Sequence, residues 1–193
     1  MLEEVDTIAR GDGPLWAKPS PLGAASAIDA IASIAAPLLA GFALATIAVV
    51  AQGESSFRWP GLSILFCVLT AASMVMSIQF GFTARAFFYS PGDVANWWPE
   101  ASEDSGRRAW LKSEHERHFE QWRRYATRAR LAYNTGACTL TLSLFALAAP
   151  PTGARQAPLR WAAALLSLIA TVTIVTTAVR RTRVDTKEAA EEP

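Results

Sequence analysis

His115 and His118 are the only two histidines in a chain of 193 residues. They stand three positions apart with Glu114 and Glu116 beside them. Two imidazoles at that helical spacing can share a metal ion, and an imidazole changes charge near neutral pH, so the pair suggests cation binding or pH sensing. A closed zinc site needs four ligands, and the sequence offers no third histidine. Cys67 and Cys138 lie in separate apolar stretches at different expected depths, so they read as unpaired packing residues. The histidines therefore read as packed or partner-facing. No nucleophile elbow, phosphate loop, zinc-protease helix or dinucleotide fingerprint occurs in the sequence. The expectation is a non-enzymatic chain with no catalytic residues, no metal, no cofactor and no nucleic-acid partner.

The elements that must position these residues are dominated by four apolar stretches: Ile31–Ala51, Gly61–Ala84, Leu131–Ala149 and Trp161–Val179. None contains Asp, Glu, Lys, Arg or His. A helix needs about 20 residues, at roughly 1.5 Å rise each, to cross about 30 Å of hydrocarbon. Each stretch meets that length. The fold class is all-α: a membrane four-helix bundle of two helical hairpins, with the third helix extended into the cytoplasm. The chain divides into an N-terminal segment 1–26 without ordered structure, a first hairpin 27–89, a cytoplasmic loop 90–130, a second hairpin 131–180 and a tail 181–193. Residues 1–26 lack the basic start and short apolar core of a secretory signal. The first span reads as an uncleaved signal anchor.

Charge orients the hairpins. Of 18 Lys and Arg residues, only Arg58, Arg155 and Arg160 fall in the two short loops. The rest lie in the N-terminal segment, the central loop and the tail. The positive-inside bias then places both termini and the central loop in the cytoplasm of a multi-pass cell-membrane protein. Arginine and tryptophan recur together at the outer ends, as Arg58-Trp59 and Arg160-Trp161, a pairing suited to the membrane interface. Small residues at helical spacing offer close packing in lipid: Ser33, Pro37, Gly41 and Ala45 in span one; Ser63, Cys67, Thr70, Ser77 and Gly81 in span two; Ala163, Ser167 and Thr171 in span four. Pro37 is expected to kink span one, and Gln79, Asn134 and the threonines to bond between helices.

The central segment is the most distinctive. Arg85-Ala86-Phe87-Phe88-Tyr89 suits the inner headgroup layer. Ser90-Pro91-Gly92-Asp93 is a helix start, with a capping serine, a proline at the first position and an acid at the third. Trp97-Trp98-Pro99 ends that helix, because the residue before proline is driven out of the helical region. From Gly106 one helix of about 44 residues, roughly 65 Å, continues into span three. Along it Leu111, His115, His118, Trp122, Tyr125, Ala129, Ala132, Gly136, Thr139, Ser143 and Ala146 form one heptad stripe. Its lower part, Leu111 to Tyr125, is the expected partner or oligomer face. Arg85, Trp97, Trp98, Arg123, Arg124, Arg128 and Arg130 are the expected contacts to inner-leaflet lipid.

The stretch from Pro37-Leu38-Leu39-Ala40-Gly41-Phe42 through Phe57-Arg58-Trp59-Pro60 to Asn96-Trp97-Trp98-Pro99 is similar to uncharacterised integral membrane proteins of actinobacteria. That resemblance covers at most a third of the chain and implies no activity. In layout and size the chain also resembles small multi-span effectors of bacterial cyclic-nucleotide defence systems, a resemblance that implies a membrane pore. Two functions follow from the sequence: a cytoplasmic helix that recognises a partner, a signal or a second copy, or a pore-forming effector or small channel. Membrane lipid is a partner in either case.

Overall fold

A computed structural model describes residues 16–19, 21–98, 105–153 and 156–191, with the side chains of 105 and 181–191 excepted. Five helices follow in order: α1 (Ala24–Gln52), α2 (Pro60–Ala86), α3 (Pro91–Trp97), α4 (Ser105–Ala148) and α5 (Ala157–Glu191). Among the described residues there is no strand. Four of the helices are long and apolar enough to cross a membrane, ending in α5 at Arg180. This is an all-α, multi-pass membrane protein. The expectation of an unstructured segment before residue 27 meets a helix that begins at Ala24; residues 1–15 and 20 lie outside the described residues.

The expected 44-residue helix is present as α4. It packs most extensively on α2, α2 packs next on α1, and α4 on α5. The ends of this series, α1 and α5, share no comparable interface. The two hairpins are thus joined along their inner helices, and the four spans form a row in the order α1, α2, α4, α5.

The α2–α4 junction explains that order. Ser63, Cys67, Thr70, Ser77 and Gly81 are all buried, as their spacing predicts. Thr70 and Thr139 hydroxyls meet at 2.8 Å, Cys67 Sγ lies 3.0 Å from Ser143 Oγ, and Ser77 donates to the Ala129 carbonyl at 2.9 Å. Ser143 also donates to the Ser63 carbonyl. Bonds of this kind contribute only about 0.6 kcal/mol each in a membrane protein, so close packing must supply the larger share. Met74 provides it: fully buried, its methyl would lie 2.8 Å from a Cβ added at Gly136. Thr141 and Thr171, 2.7 Å apart, link α4 to α5. Gln79 lies exposed, so serine, threonine and cysteine carry the cross-helix bonding there.

Helix α1 differs from its sequence reading. Ser33, Pro37, Gly41 and Ala45 face outward; Ile28, Ala36, Ala43 and Val50 form the buried face. The small-residue stripe of span one therefore does not make its helix contacts. Pro37 lies two residues after the end of a π-helical turn, Ile31–Ala35, closed by the bond from the Ala36 N–H to the Ile31 carbonyl. A proline ring clashes with the carbonyl four residues back and gives that carbonyl no donor; the wider turn makes room for it.

At Gly81 α2 lies in close contact with α1. A Cβ there would overlap the Cβ of Ala32, while one at Gly41 would meet nothing. Gly81→Ala should destabilise the protein by about 2 kcal/mol, seen as a lower thermal midpoint in lipid nanodiscs, despite alanine's better helix propensity. Gly41→Ala should leave the midpoint unchanged or raise it. Equal effects at the two sites would contradict this packing.

Candidate functional site

Outside the spans, one face of the first half of α4 is covered by other parts of the same chain. Leu111, His115, Trp122 and Ala126 are buried. Trp122 and Ala126 pack with Ala24, Ile28 and Ala84, and Leu111 packs with Val94 of α3, Trp16 and Tyr89. The stripe read as a partner or oligomer face is thus occupied within the chain by the aromatic exit of α2, by α3 and by the segment preceding α1. The Arg85–Tyr89 cluster supplies three of the covering rings. Phe87 stacks on Tyr125 at 5.9 Å, Phe88 tilts over Trp122 at 5.3 Å, and Tyr89 stands edge-on to His115 and His118 at 5.2 and 5.7 Å.

The histidines have separate partners. Tyr89 Oη and His118 Nδ1 are 3.1 Å apart, and His118 Nε2 lies 3.2 Å from Glu114 Oε1. With the proton on Nε2, Tyr89 donates to Nδ1 and Nε2 donates to Glu114, so both ring nitrogens are satisfied. A tyrosine–histidine–carboxylate series can activate a phenol, but burial raises the Tyr89 pKa above its ordinary value. The phenol therefore keeps its proton and serves as a donor. Glu114 is also tied to Arg117. The arrangement locks the exit of α2 against α4.

His115 is 4% exposed. Its Nε2 lies 3.0 Å from the Ala17 carbonyl and donates to it, and Trp16 stands edge-on to its ring at 5.2 Å. Its Nδ1 is buried without a hydrogen-bond partner among the described residues. An orphaned buried acceptor costs about 1–3 kcal/mol, which the surrounding rings must offset. Sequence reasoning missed Trp16 and Ala17 as partners of His115; one exposed-looking tryptophan in a charged segment was the only signal.

Helix α3 is built as its sequence predicts. Ser90 Oγ accepts from the Asp93 N–H, and Asp93 Oδ2 accepts from the Ser90 N–H at 2.7 Å, a reciprocal cap. The Ser90 N–H and, after it, the Ser90 hydroxyl both donate to Asp93 Oδ2 and hold that carboxyl below its ordinary pKa. A depressed carboxylate stabilises fully above its unfolded pKa, so the cap is complete at neutral pH and weakens only as pH falls through the acid range. Trp97 closes the helix, with Trp98 at its end; Pro99 lies outside the described residues. Trp97 is 59% exposed and lies 5.9 Å from the Tyr89 ring and 6.2 Å from that of Trp98.

Several of the basic side chains expected at lipid are held by the chain itself. Arg124 pairs with Glu120, and the Arg128 guanidinium lies over the Tyr125 ring at 5.5 Å. Arg123 is exposed and Arg130 half-buried. Arg85 pairs with Asp29 at 2.6 Å. Sequence reasoning missed Asp29; the signal that could have found it is its place just before the first uncharged stretch, as Arg85 lies just after the second, since an antiparallel hairpin brings both to one end. At the opposite end the two Arg-Trp pairs diverge. The Arg58 guanidinium lies over Trp59 at 5.1 Å, and Trp59 stacks on Phe145. Arg160 instead donates to the Leu147 and Ala148 carbonyls, capping the end of α4, while Trp161 is exposed.

No family model, no curated protein and no solved structure matches the chain.

His115→Ala should free the segment before α1. The expected result is faster maleimide labelling of a cysteine placed at the half-buried Ala17 than in the same chain carrying His115, and a loss of about 2 kcal/mol in stability. An unaltered labelling rate would show that His115 does not hold the segment.

Proposed function

We propose that this multi-pass membrane protein is a non-enzymatic recognition protein of the bacterial inner membrane, whose business end is the assembly around the first half of α4. The observation that carries this reading is the bond from His115 to Ala17, which ties the segment entering the first span to the helix that becomes the third. A ligand that moves one of these pieces must move the other, because α4 is a single helix from Ser105 to Ala148. The arginine bias supports placing this assembly, and both termini, in the cytoplasm.

The pore reading draws less support. The hydroxyls buried between α2 and α4 are engaged with each other or with carbonyls, and Met74 fills the junction between them. Conduction would need several copies and a different lining.

Because the heptad stripe is covered, contacts to a cytoplasmic partner or a second copy must use the remaining faces, where Trp110 is 59% exposed. A photo-crosslinking amino acid at Trp110 should trap a discrete protein adduct in cells, and one at the lipid-facing Phe82 should not. Monomer alone at both positions would contradict the recognition reading. In the same cells an impermeant maleimide should label Thr152→Cys from outside and leave Trp110→Cys unlabelled; the reverse pattern would invert the orientation.

A further inference from the structure

A cleft of about 280 Å³ opens where α1, α2 and α4 meet on the arginine-rich side. Its apolar wall is Ile28, Gly81, Phe88 and Trp122, and its polar edge is the pair Asp29 and Arg85. Asp29 lies two residues before the uncharged stretch of α1, and Arg85 one residue after that of α2. The polar edge therefore stands at the depth of lipid headgroups, and Ile28 and Trp122 pack with Ala84 at that same level. We propose that this cleft binds the headgroup of a zwitterionic phospholipid bearing a primary ammonium, with Arg85 holding the phosphate and Asp29 the ammonium.

The charge order carries the assignment. Asp29 and Arg85 touch through one carboxylate oxygen and one guanidinium nitrogen, at 2.6 Å. Their side chains are 46% and 70% exposed respectively. An exposed pair of this kind contributes little stability, so a ligand can interpose at small cost. A carboxylate accepts through both oxygens and a guanidinium donates through five N–H groups, so each can take a second partner. A headgroup with only negative charge would gain Arg85 and face Asp29; one with only positive charge would meet the reverse. A phosphate followed by an ammonium two carbons away satisfies both. The primary ammonium is selected over a trimethylated one because it donates hydrogen bonds to a carboxylate. Ile28 and Trp122 are buried behind the cleft, and the exposed Phe88 ring is the apolar surface it offers to a lipid.

The test uses the full chain in detergent, measuring retention of added lipids by native mass spectrometry. Phosphatidylethanolamine should bind at least about tenfold more tightly than phosphatidylglycerol or phosphatidylcholine, a preference two charge-assisted contacts can supply. Asp29→Asn should abolish the preference for the ethanolamine lipid, and Arg85→Gln should weaken retention of all three. Both variants alter exposed side chains, and unchanged thermal midpoints will establish that the fold is kept. Equal or tighter binding of phosphatidylglycerol would overturn the proposal, as would a preference that survives Asp29→Asn. Equal binding of phosphatidylcholine would show aromatic recognition of a trimethylammonium and also overturn it. Soluble glycerophosphoethanolamine should bind at least about tenfold more weakly than the lipid; equal affinity would move the assignment from a lipid to a free solute.

Discussion

The close approach of α2 and α4 is the constraint on which the rest of this molecule depends. In hydrocarbon there is no hydrophobic gain from bringing two helices together, so association rests on packing and on hydrogen bonds that lipid cannot offer. This chain uses both along one seam. Small residues lower the surface of α2, Gly136 opens a socket on α4, and Met74 fills it. Hydroxyls and one thiol then bond across the gap on either side of that socket. Helices α1 and α5 join this pair on α2 and α4 respectively and share no comparable interface among the described residues.

That central pairing reaches beyond the membrane because α4 does not stop at its surface. The same helical phase that presents Ser143, Thr139 and Ala129 to α2 presents Trp122, His118 and His115 to the aromatic exit of α2 and to the segment before α1. One rigid element thus sets both the register of the spans and the geometry of the arginine-rich end. The Asp29–Arg85 pair sits at the boundary between these regimes, where the α1–α2 crossing at Gly81 brings the two charges together.

Much of this was legible in the sequence, for identifiable reasons. Uncharged stretches mark the four spans because a charge in hydrocarbon is costly. The heptad stripe of α4 was readable because its spacing does not change phase between Leu111 and Ala146. The capped turn at Ser90–Asp93 was readable because capping is local chemistry. What failed was the assignment of neighbours. The stripe of Ser33, Pro37, Gly41 and Ala45 has the spacing of an interface yet faces outward, because in lipid a helix face carries no mark of which side has a protein neighbour. The histidines read as packed or partner-facing; His115 is packed, and its cover comes from Trp16 and Tyr89, distant along the chain and not foreseen. Likewise Arg58 and Arg160 share a motif and not a role, since only Arg160 lies within reach of the carbonyls that end α4.

The seam itself can be measured. Cys67 Sγ and Ser143 Oγ are 3.0 Å apart, so Ser143→Cys, in a chain carrying Cys138→Ser, places two thiols where a small rotation forms a disulfide. Mild oxidation in the membrane should convert nearly all of the protein to a form lighter by two hydrogens and closed to maleimide after denaturation. Two thiols still open to maleimide after that treatment would mean that α2 and α4 do not meet in this register, and the arrangement built on them would be wrong.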